Sequence, residues 1–337
     1  MLKIGLVGYG GGGRWFHAPF IAAAEGVELA GVVARSPEKI ALVEQDYPGL
    51  PVYPSLTAML DAGVDAVTIT TPPETRRELV LEAIAAGVHV VADKPFAPSA
   101  EAARELGRAA DEAGVRLSVY HQRRNDSDIK TLKTVLDSGE LGQIWRFNSI
   151  FDLDEPETLE AGPHGGLLRD LGSHLVDQAL WLFGPALRVN AHLDWVELEQ
   201  GRTDAGFVVQ IDHESVSAYL SASKLNRVQR RTLEVYAENG SYVSQGVDIQ
   251  AQQVKTGMRP GTDGWGMEPT PGVISLPDGK REVPSNKGDY SDYYSAFANA
   301  VETGGEVPVP VAQAVQVLEV LDAARVSAAE HRVVELA

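Results

Sequence analysis

The chain has 337 residues, 44% of them hydrophobic and 23% charged, a length that suits two hydrophobic cores better than one. Its net charge of −18 repels phosphate backbones and anionic lipid, so neither nucleic acid nor a membrane surface is an expected partner. Cysteine is absent, which excludes disulfides, thiolate nucleophiles and Cys-ligated metals; with an N-terminal "MLKIGLVG" that reads as a strand and not as a signal peptide, and no bilayer-length apolar run, a cytoplasmic location is expected.

The first third alternates two rhythms. "KIGLVG", "VELAGVVA", "DAVTIT", "VHVVAD" and "RLSVY" are continuous Val/Ile-rich runs, as strands buried on both faces require. Amphipathic stretches such as "SPEKIALVEQDY" and "SAEAARELGRAADEAG" lie between them, several closed by Gly as a C-cap. Strand–helix alternation predicts a doubly wound parallel sheet, a Rossmann-like dinucleotide-binding domain, over residues 1–122.

The turn after the first strand reads Gly8-Tyr9-Gly10-Gly11-Gly12-Gly13 and contains the pattern GxGxxG. The first glycine permits a tight turn and the second a close approach of backbone to a pyrophosphate. The third lets helix and strand pack, with the helix N-terminus facing the anion. Gly8, Tyr9, Gly10, Gly12 and Gly13 are therefore candidate cofactor residues.

The tip of the second strand selects the nucleotide. An acid there would bind the ribose 2′-hydroxyl of NAD, and an Arg the 2′-phosphate of NADP. The sequence offers Arg35 and Ser36, which favours NADP with NAD as the alternative; a solvated Arg and a Ser capping the next helix before Pro37 would look the same. "TTPPE" supplies Thr71 and Pro72 beyond the fourth strand. "DKP" supplies Asp93 and Lys94 beyond the fifth, where ligands of open α/β sheets bind. A cation there can stabilise an alkoxide or polarise a carbonyl.

After residue 140 the strands lengthen, alternate and lose their intervening helices: "QIWRFNSIFDL", "ALRVNAHLDWVEL", "GFVVQID", "SVSAYLSAS", "RTLEVYAE". This predicts a second, α+β domain over 123–337, built on a large, mostly antiparallel open sheet with helices on one face. Its opening helix, "GGLLRDLGSHLVDQALWLFG" (165–184), is apolar except for a row of Asp170, His174 and Asp177 at i,i+4 and i,i+3 spacing. A carboxylate beside an imidazole fixes its tautomer and raises its basicity, which suits proton transfer near neutral pH; a structural cluster would have the same spacing. No third and fourth ligands accompany the row, so no metal is expected. Residues 255–288, rich in Gly and Pro, are expected to form a long ordered loop.

In their order and spacing, the glycine turn, "TPP", "DKP", the Asp-x-x-x-His helix and the closing "EVPVPVAQAVQVLEVLDAARVSA" resemble the Gfo/Idh/MocA family of oxidoreductases nearly end to end. "GYGGGGRWFHAPF", "LSVYHQRRNDSD" and "RPGTDGWG" further resemble its NADP-dependent scyllo-inositol dehydrogenases. The resemblance implies that Lys94, Asp170 and His174 face the nicotinamide. It also implies oxidation of a secondary alcohol on a cyclic polyol or sugar, and a homo-oligomer, dimer or tetramer, through the C-terminal sheet. His121, Arg123, Arg124 and His164 are candidate polyol contacts. The sequence departs from the family's Glu-Lys-Pro at Asp93, and from the His often found after "TP" at Arg76 or Arg77. Two other readings use the same residues: reduction of a ketosugar or other carbonyl, and a dinucleotide sensor without catalysis.

Overall fold

The structure is a computed structural model that describes residues 1–162 and 165–336. The chain divides into two compact units. The first comprises Met1–Gln122, Ala251–Trp265 and Asp289–Val315, and the second Arg123–Gln250, Gly266–Gly288 and Gln316–Ala337. Among the described residues no helix is long and apolar enough to cross a membrane.

The first unit is built on six strands: β1 (Leu2–Val7), β2 (Val27–Val33), β3 (Val52–Tyr53), β4 (Ala66–Ile69), β5 (His89–Asp93) and β6 (Leu117–Tyr120). All pair in parallel, in the order β3-β2-β1-β4-β5-β6. Ile4, Leu6, Val32, Val67, Ile69, Val90, Val91 and Val119 are fully buried, as the continuous apolar runs required. Ser36, Ser55 and Ser99 each cap a helix by accepting the N–H three residues on. The strand order reverses between β1 and β4, and the turns that leave those two strands therefore flank the switch point where such sheets take ligands.

A single cut at residue 122 is too simple. Ala251–Trp265 and Asp289–Val315 return to the first unit because they carry its missing aromatic core. Tyr290 packs on Phe20 at 5.1 Å between ring centroids and Trp265 on Phe20 at 5.8 Å. The Tyr293 hydroxyl donates to Val119 O at 2.9 Å.

The second unit holds nine strands: β7 (Ile144–Asp152), β8 (Arg188–Leu198), β9 (Gly201–Asp212), β10 (Ser217–Ser223), β11 (Arg230–Ala237), β12 (Ser241–Gly246), β13 (Gly272–Leu276), β14 (Gly279–Val283) and β15 (Val334–Glu335). Their order is β14-β13-β12-β11-β7-β10-β9-β8-β15. β7 and β10 pair in parallel and the other neighbours antiparallel. Phe147 and Phe151, Ala218 and Leu220, and Leu233 and Val235 alternate inward as the period of two demands, and helix Ser173–Phe183 buries Leu175, Val176 and Ala179 in the same unit. Residues 255–288 are not one long loop: they contain the β13–β14 hairpin, turned at Pro277 and Asp278 and added to the sheet's edge.

Near the start of this unit two buried arginines hold three carboxylates. Arg231 meets Asp128 at 2.7 Å and Asp126 at 3.3 Å, while Arg123 meets Asp248 at 2.6 Å and Asp126 at 3.4 Å. Both guanidiniums lie over the Phe151 ring. Burial, reinforced by Asp128 and Asp248 and opposed by the two arginines, pushes the Asp126 carboxyl up to about 6. A raised folded-state value stabilises the fold below the ordinary carboxyl range, and that contribution is lost as pH rises through about 6. Asp126→Asn removes the slope. Its stability relative to wild type, measured by urea unfolding, is expected to rise by about 2 kcal/mol from pH 4 to pH 7. A flat difference between the two would contradict this.

Candidate functional site

The glycine turn of the first unit is shaped by close approaches. Gly8 has φ +105°, and a Cβ on it would stand 2.8 Å from Thr70 Oγ1. The Thr70 hydroxyl holds the turn by donating to Val7 O and Gly8 O, both at 3.2 Å. A Cβ on Gly13 would collide with Gly8 O, so only glycine lets the following helical turn sit down on β1. Gly10 and Gly11 instead face open space, with no atom within 4 Å of an added Cβ. A closed base with an open rim at the end of β1 is what a pyrophosphate needs from backbone N–H groups, and the residues fit a dinucleotide. The Tyr9 side chain is buried and ties this turn to helix Pro37–Asp46: its hydroxyl donates to Asp46 at 2.8 Å, beside the Arg14 pair at 2.6 and 2.9 Å. Arg35 is exposed just past the end of β2, and Ser36 accepts the Lys39 N–H at 3.3 Å.

Thr71 and Pro72 leave β4, and Asp93 and Lys94 leave β5 into a cis Lys94–Pro95 bond. One side chain stitches these turns together. Arg76, 3% exposed, donates to Thr71 O at 2.7 Å, Asp93 O at 2.7 Å and Pro95 O at 2.5 Å. Arg77 lies on the surface against Glu105, so Arg76 is the inward member of the pair. The Lys94 N–H donates to Asp93 Oδ1 at 2.8 Å, and Lys94 is half-buried. His121 is buried at the end of this unit's first segment.

In the second unit, the helix bearing the polar row begins with a π turn, Leu168–Gly172, and continues as the α-helix Ser173–Phe183. Asp204 on β9 anchors its start. The carboxylate accepts the Leu168 N–H at 2.6 Å and also the N–H of Leu167, with Arg325 at 3.6 Å. Burial raises the Asp204 carboxyl, against those backbone bonds and Arg325. Gly166, at φ +97°, is required there because a Cβ would strike Asp204.

The step from Asp170 to His174 crosses the π turn, so the uniform α-helical spacing read from the sequence does not hold. The three polar residues meet different surroundings. The Asp170 side chain is 52% exposed and pairs with Lys224 Nζ at 3.1 Å, whereas Lys224 is itself only 5% exposed. His174 is buried. Asp177, also buried, takes a two-point bond from Arg124, at 2.9 Å from Nε and 2.6 Å from Nη2. Asp177 thus ties down structure, and Arg123 and Arg124 are committed to carboxylates of their own unit. The predicted contact His164 lies outside the described residues. Sequence reasoning missed Lys224 altogether, since a lone Lys closing a strand carries no pattern.

Residues 2–121 match the model of an oxidoreductase family with an NAD-binding Rossmann fold, and residues 133–336 match the model of that family's C-terminal alpha/beta domain. The chain is 36% identical over 342 residues to the uncharacterized oxidoreductase YdgJ of Escherichia coli (strain K12), covering 98% of this chain and 97% of that one. It is 31% identical over 347 residues to the scyllo-inositol 2-dehydrogenase (NADP(+)) IolW of Bacillus subtilis (strain 168), covering 99% and 96%. Among solved structures, yvaA from Bacillus subtilis superposes with a TM-score of 0.92 at 30% identity, covering 100% of this chain and 99% of that one.

Proposed function

Because the chain belongs to the Gfo/Idh/MocA family of oxidoreductases, we propose that this NAD(P)-dependent dehydrogenase uses NADP and acts on a cyclic polyol or sugar, with a scyllo-inositol-like ring as the first candidate. The observation that carries the substrate reading is the end-to-end likeness to a scyllo-inositol dehydrogenase. The coenzyme reading rests on Arg35 at the tip of β2, with no carboxylate beside it.

When bound, the dinucleotide supplies the acceptor for the electron pair and hydrogen that leave the alcohol carbon. The chain's residues do the rest. The glycine turn and Arg35 hold the coenzyme, with Tyr9, Ser36, Thr71, Pro72 and Asp93 lining its course. The Lys94 ammonium holds the substrate oxygen and stabilises charge developing on it. His174 accepts the hydroxyl proton as the ketone forms. Asp170 orients His174 and balances its charged form, and Lys224 in turn fixes Asp170 at 3.1 Å. His121 borders the ring hydroxyls. Exposed Trp195, Val208 and Tyr219 on neighbouring strands of the second unit's sheet are where a second copy would pack in a homo-oligomer. A chain free of cysteine suits the cytoplasm.

Incubating the protein with NADP⁺ or NAD⁺ and a panel of inositols and aldoses, and following absorbance of the reduced nicotinamide, tests this reading. Turnover of an inositol with NADP⁺ is expected; no response to any polyol would sink the substrate assignment. The coenzyme choice has its own test. Arg35→Ala is expected to weaken NADP⁺ binding by about 10- to 100-fold, the worth of a charge-assisted hydrogen bond, and to leave NAD⁺ binding nearly unchanged. Equal loss for both nucleotides would remove Arg35 from the role.

A further inference from the structure

The motif "GRWFHAPF" carries a histidine that the chemistry above does not use. His17 ends the π turn Gly12–His17 that follows the glycine turn and is 1% exposed. Its Nδ1 lies 2.6 Å from the Tyr294 hydroxyl, and its Nε2 lies 3.4 Å from Asp93 Oδ1. That same oxygen accepts the Lys94 N–H at 2.8 Å. The other carboxylate oxygen, Oδ2, faces the glycine turn, 3.6 Å from where a Cβ on Gly12 would stand.

The direction of the bonds follows from the donors. The Thr68 hydroxyl donates to the Tyr294 oxygen at 3.4 Å. Burial holds the Tyr294 phenol well above its ordinary range, so it keeps its proton. Its O–H is then free to donate to Nδ1, which leaves Nε2 as the N–H that points at Asp93. The Tyr120 ring, 4.1 Å away between centroids and tilted by 34°, fixes the imidazole plane. Burial pushes the Asp93 carboxyl up, but His17, Arg76 and Lys94 outweigh it and hold it below the usual carboxylate range. Backbone and side chain of this turn are gripped separately: Arg76 takes the carbonyls of Asp93 and Pro95, and His17 takes the carboxylate.

We propose that His17 is a positioning residue of the coenzyme-binding unit, holding Asp93 in the rotamer that turns Oδ2 toward the glycine turn and the bound dinucleotide. The inference rests on the reading of Asp93 as a coenzyme contact. It predicts that His17 acts through Asp93 and not through packing.

A double-mutant cycle reads that difference. Dinucleotide affinity is measured by quenching of tryptophan fluorescence with NADP⁺ and NAD⁺ for wild type, His17→Leu, Asp93→Ala and the double variant. His17→Leu is expected to weaken binding about tenfold in the wild-type background and by less than about twofold in the Asp93→Ala background. His17→Gln, whose amide N–H replaces the Nε2 donor, is expected to restore affinity to within about threefold of wild type. Losses that simply add, or no rescue by Gln, would overturn the proposal. If wild type binds neither nucleotide, the dinucleotide reading falls, and the relay is still decided by ¹⁵N NMR of the His17 imidazole. The Nε2–H tautomer in wild type supports it, and the Nδ1–H tautomer overturns it. That measurement needs no variant and so survives any failure to fold.

Discussion

Replacing His174 by alanine is expected to lower kcat by about 10²- to 10⁴-fold, the usual worth of a positioned general base, while NADPH affinity stays within about threefold of wild type. The split follows from where the residue sits. His174 lies on a helix of the second unit, and the glycine turn, Arg35 and the turns after β4 and β5 belong to the first. With the proposed roles, its loss removes a proton acceptor and leaves intact the backbone that would hold the coenzyme. The helix itself should not notice: Leu175, Val176 and Ala179 bury its apolar face, and Asp204 anchors its start. Single-turnover kinetics beside a coenzyme titration checks both halves. Lost coenzyme binding with normal turnover per bound site would contradict the role.

The second large effect is one of stability. Arg124→Leu strips the guanidinium from Asp177, which is 2% exposed and is left charged in a buried place. Removing one partner of a buried pair costs about 3–5 kcal/mol. Removing both, in Arg124→Leu/Asp177→Leu, is expected to cost clearly less than the sum, because no lone charge remains. Urea unfolding of the four proteins measures it. Arg124→Leu within about 1 kcal/mol of wild type would mean that the pair is not truly desolvated.

Asp170, His174 and Asp177 show what one sequence can and cannot disclose. Their spacing marked a row, but a row on an ideal α-helix. The π turn Leu168–Gly172 has no local sequence signature, because it is fixed by a distant residue, Asp204, taking the helix's first N–H groups. The partners that sort the row, Lys224 and Arg124, come from 54 and 53 residues away. The parallel sheet was legible because strands buried on both faces must be apolar throughout. The glycine turn was legible because Gly8 and Gly13 meet steric demands no other residue satisfies. The β13–β14 hairpin was hidden by reading Gly and Pro as loop, although Pro277-Asp278-Gly279 is itself a turn signal. The returning segment Asp289–Val315 offered a cue too, since Tyr290, Tyr293 and Tyr294 fall on one helix face.

The proposed reaction passes a carbinol hydrogen of a polyol ring to the nicotinamide of NADP⁺ within this protein. Scyllo-inositol deuterated at its ring carbons tests it most directly, with the reduced nucleotide analysed by mass spectrometry. Direct transfer puts one deuterium in each NADPH formed and makes turnover slower than with the light substrate. NADPH formed without deuterium, or no NADPH formed from any polyol offered, would contradict it.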